Sequence, residues 1–119
     1  MGRRLHYFSE YKVCPSDSSI GNWNSDIINQ LFHSLANKVR ENCWFDNDFI
    51  SGANRIEIDK EIVEKIIEFL TATDNWEAAD IDSIDVTELP EISEMKEFLK
   101  EALTKSEPSI NTIHFEWLE

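Results

Sequence analysis

The segment Thr112-Ile113-His114-Phe115-Glu116-Trp117-Leu118 alternates cleanly, with Ile113, Phe115 and Trp117 on one side and His114 and Glu116 on the other. A period of two marks a strand that buries one face. Residues 4–13 repeat the pattern. Leu5, Tyr7, Tyr11 and Val13 line one face, and Arg4, His6, Glu10 and Lys12 most of the other. Ser9 interrupts the apolar face and Phe8 the polar one, so cover on both sides is expected for this strand.

Between these two strands the period changes to that of a helix three times. Ile27, Ile28, Leu31, Phe32, Leu35 and Val39 form one stripe, with Asn24 or Ser25 as cap, Asp26 at the positive end and an end near Asn42. Ile62, Val63, Ile66, Ile67 and Leu70 form a second, capped by Asp59 and supported by Glu61 and Lys65 four apart. Ile92, Met95, Phe98, Leu99, Ala102 and Leu103 form a third. There Pro90 fits the first turn, Glu91 and Glu94 its positive end, and Ser106-Glu107-Pro108-Ser109 its stop.

The connections are less regular. Cys14-Pro15-Ser16-Asp17-Ser18-Ser19 reads as a turn or loop that continues to Asn24, because these residues hydrogen-bond their own backbone. Residues 44–50 fit a hairpin and a short helical turn equally, and 51–54 break the chain. A short strand is expected over 55–58, and another around Ile84, Val86 and Leu89, although Asp80, Asp82 and Asp85 are poor strand formers. The whole is an α+β arrangement, one domain over residues 1–119. It combines a sheet of three to five strands with about three amphipathic helices packed mainly on one face. A fully parallel sheet with right-handed crossovers, an α/β three-layer arrangement, is the alternative, since strands and helices nearly alternate.

Composition agrees with a packed domain: 119 residues, 41% hydrophobic, with four Trp and seven Phe to dominate burial. No stretch reaches the roughly 20 apolar residues that a membrane span needs. The opening Met1-Gly2-Arg3-Arg4-Leu5-His6 has no long apolar region after its arginines, so it is not read as a secretory signal, and His6 stands where a myristoylation motif wants Ser or Thr. Cys14 and Cys43 belong to no CxxC pair. Two lone thiols suit a reducing compartment, and a cytoplasmic protein is expected.

The formal net charge is −13, and it is unevenly spread. Residues 1–43 hold five Lys or Arg against four Asp or Glu, whereas residues 44–119 hold six against twenty. From Asp74 to Glu101 there are ten carboxylates, offset by Lys96 and Lys100. Glu94, Glu97 and Glu101 are expected opposite the apolar stripe of the third helix, and with Asp80, Asp82 and Asp85 they would form one extended anionic surface. Such a field repels nucleic acid and membranes and steers basic protein surfaces inward. The plainer reading is a solvated face that keeps the chain soluble. Trp23 and Trp76 fall in expected loops, where a tryptophan is either a binding anchor or a cap on the end of the core.

Catalytic patterns are missing from the sequence. His6, His33 and His114 show no HxxxH or HxH spacing and read as surface histidines, not metal ligands. His6 and His114 would meet only if the two terminal strands were neighbours. Pairing Cys14 with His6 or His33 as nucleophile and base has no motif behind it. Gly2, Gly21 and Gly52 stand alone, so there is no phosphate-cradling loop, and Asp46-Asn47-Asp48 lacks the spacing of a calcium loop. No cofactor is expected.

In size and charge the chain is similar to small acidic inhibitors of the immunity-protein kind and to phage proteins that imitate nucleic acid, a likeness of bulk properties with no shared motif. The expected function is therefore non-enzymatic. An acidic face would occupy a basic surface of a protein partner, such as a nuclease or another nucleic-acid-binding protein, without contacting nucleic acid itself. The second expectation is an accessory subunit of a larger assembly, held by apolar contacts through Trp23, Trp76 and residues 44–50.

Overall fold

The computed structural model describes residues 4–10, 14–20, 25–39, 49–51, 55–79 and 89–118. Five strands, β1 (Arg4–Glu10), β2 (Cys14–Ile20), β3 (Phe49–Ser51), β4 (Arg55–Asp59) and β5 (Thr112–Leu118), form one sheet in the order β2-β1-β5-β4-β3. Four helices accompany it: α1 (Ser25–Val39), α2 (Lys60–Thr71), α3 (Trp76–Ala79) and α4 (Ile92–Lys105). The architecture is α+β, as the two periods predict.

The alternating segment that closes the sequence becomes the central strand. β5 pairs antiparallel with β1 on one side and β4 on the other, setting Leu5 opposite Trp117 and Phe115 between Tyr7 and Ile56. Ile113 stands opposite Ile58, and Ile20 of β2 opposite Leu5. These rows face the helices. Phe115 lies 5.4 Å from Phe32 of α1 and 5.8 Å from Phe98 of α4, ring centre to ring centre, and Tyr7 meets Phe98 edge-on at 5.7 Å. One continuous buried cluster joins Leu5, Ile56, Ile58 and Ile113 to Leu31, Leu35, Ile62, Ile66, Met95, Leu99 and Ala102. Each fully buried side chain of this size contributes roughly 1.5–3 kcal/mol relative to exposure.

All the strand pairings are antiparallel, which corrects the parallel alternative. Near-alternation of strands and helices suggested crossovers, but β2 and β3 enter as antiparallel partners of the strands next to them in sequence. β2 is itself a correction, since 14–20 reads as loop. Its strand is possible because it lies at the sheet edge. There one side needs no ladder bonds, and Pro15, opposite Phe8, loses little by lacking an N–H. Side chains of β1 supply part of the tie: Arg4 Nε donates to Ser19 Oγ at 2.7 Å, Arg4 Nη2 to Ser19 O at 3.1 Å, and His6 Nδ1 to Ser16 O at 2.8 Å. The pairing is irregular between His6 and Glu10, as bulged edges often are. Residues 44–48 lie outside the described set, as does the strand expected around Ile84 and Val86; Phe49 and Ile50 belong to β3.

Helix ends differ in detail. Asp59 precedes α2 but makes no side-chain cap bond, and its Oδ1 accepts a long 3.4 Å bond from Thr112 Oγ1 instead. The start of α2 is fastened from the loop before β5: Lys60 N–H donates to Asn111 O at 2.8 Å and Lys60 Nζ to Glu107 O at 2.7 Å. α4 begins at Ile92 after Glu91, so Pro90 stands just outside its first turn. α2 packs against both α1 and α4, α2 also against β4, and α4 against β1 and β2.

Candidate partner-binding face

Of the six acidic residues expected to form the anionic surface, the structure describes three, Glu94, Glu97 and Glu101, all on α4. Glu94 and Glu97 are exposed. Together with Ser19 and Ile20 of β2 and Phe98, Lys100, Glu101, Thr104 and Lys105 of α4, they line a groove of about 500 Å³. Its floor is apolar, because Ile20 and Phe98 are buried in the core cluster, and its rim is charged.

Glu101 does not project opposite the apolar stripe as expected. It follows Phe98 by three residues, which places it on the flank of that stripe, where it is half-buried. Its Oε2 accepts a hydrogen bond from Tyr7 O–H at 2.7 Å, across from β1, and its Oε1 pairs with Lys105 Nζ at 3.7 Å. Glu101 is therefore a joint between sheet and helix. Lys105 lies just beyond the stretch over which carboxylates so outnumber lysines in the sequence, and it brings positive charge back into the groove beside Lys100.

Asp80, Asp82, Asp85 and Trp23 lie outside the described residues. Trp76 opens the short helix α3, where the sequence suggested a loop. It is 7% exposed and belongs to the core cluster, and its indole N–H donates to Pro90 O at 2.7 Å. That is the core-capping reading of this tryptophan, with the backbone carbonyl ahead of α4 taking its one polar group. Asn75 Oδ1 accepts from Ala78 N–H at 2.8 Å and so caps the short helix. Asp74, Asn75 and Trp76 meet Glu91, Ile92 and Ser93 around a second recess, a notch of about 390 Å³.

The opposite face of the sheet carries what the sequence missed. β1 and β5 are neighbours, so His6 and His114 do share a face, with His6 directly opposite Glu116. His114 is not a surface histidine: it is 2% exposed. Its Nε2 donates to Glu116 Oε1 at 3.2 Å, its Nδ1 lies 4.0 Å from Glu57 Oε2, and Phe8 meets its ring edge-on at 4.8 Å. Glu57, itself buried, lies 3.6 Å from Arg55 Nη1. The register explains the assembly, because Glu57 is opposite His114 and Arg55 opposite Glu116. Alternation put His114 and Glu116 on the polar side correctly, but it carries no signal for burial there. Among the described residues no group of His, Cys, Asp and Glu is arranged to hold a metal ion. His33 is exposed on α1.

Among the described residues no helix is long and apolar enough to cross a membrane. Comparison with protein-family models, with curated proteins and with solved structures finds no significant match.

Proposed function

We propose that the chain is a non-enzymatic, inhibitor-like binding domain that lays an acidic helix face against a basic surface of a protein partner, in the manner of an immunity protein and within the cytoplasm. The observation that supports this most is the outward placement of carboxylates on two helices packed side by side. Glu61, Glu64 and Glu68 of α2, Glu94 and Glu97 of α4, and Glu91 just before it are all exposed. A field of this sign raises the encounter rate with a basic protein and weakens with salt.

The test is capture of partners from the native host's lysate on the tagged chain, eluted in steps of salt, alongside the variant Glu94→Lys/Glu97→Lys. Glu101 is left intact because it ties α4 to Tyr7. A basic protein that elutes at moderate salt from the wild type and fails to bind the variant is the expected result. A partner held through high salt and indifferent to the charge reversal would instead make the chain an apolar accessory subunit.

A further inference from the structure

We draw no further inference here: the strongest candidate, the cluster of buried His114 and Glu57 with Glu116 on the sheet face away from the helices, points to no ligand or partner, because the described residues do not show what covers that face.

Discussion

Trp76 is the residue whose two readings are easiest to separate by energy. As a core wedge it should cost what large buried rings cost. Trp76→Ala is expected to lower unfolding free energy by about 3–5 kcal/mol. Trp76→Phe keeps most of the packing and loses the bond to Pro90 O, for about 1 kcal/mol. Urea denaturation of the three proteins measures both differences. If Trp76→Ala cost less than about 1 kcal/mol, the ring would not be holding α3 and the start of α4 to the core. The same scale shows what a single sequence hides. His114 and Glu116 were assignable to the polar side of β5 by alternation. That His114 is enclosed by Phe8, Glu57 and Glu116 depends on which strands become neighbours, and residue type alone does not encode that. Glu101 makes the same point, because its distance from the apolar stripe is one helical step and its partner Tyr7 is 94 positions away in sequence.

At the scale of elements, the strands should differ sharply in how readily they open. β5 is hydrogen-bonded on both sides at the centre of the sheet, whereas β2 and β3 are its edges. Amide hydrogen exchange should find the slowest protons in β5, at or near the global unfolding free energy, and those of β2 at least about tenfold faster. Equal protection in β2 and β5 would mean that the edge is covered and the sheet order is incomplete. This gradient follows the legibility of the sequence. β5, α2 and α4 announce themselves because burial on one face writes a period into the residues. β2 has the composition of a loop, Cys14-Pro15-Ser16-Asp17-Ser18-Ser19, and is held as a strand by β1 and by the Arg4 and His6 side chains. Tertiary context overrides propensity where propensity is weak and the strand lies at an edge.

At the scale of the whole molecule, the charge of −13 acts on folding as well as on binding, with opposite response to salt. The Cα trace spans 39 × 35 × 23 Å. At 0.01 M salt the screening length is about 30 Å, so carboxylates across the entire molecule repel one another; at 0.1 M it is about 10 Å, and only neighbours do. The folded chain holds these charges closer together than the unfolded chain, so screening should favour the fold. Raising sodium chloride from about 0.01 to about 0.1 M is expected to increase unfolding free energy by on the order of 1 kcal/mol. Over the same range a complex formed through the acidic face should weaken. Urea midpoints across that salt range test the first half without any partner in hand. A flat profile would mean that the unfolded chain is repelled about as strongly as the folded one, so that the charge of −13 does not act on folding. The second half is read separately, from association with the partner, and only a complex whose strength ignores salt would leave the acidic face without a role in binding.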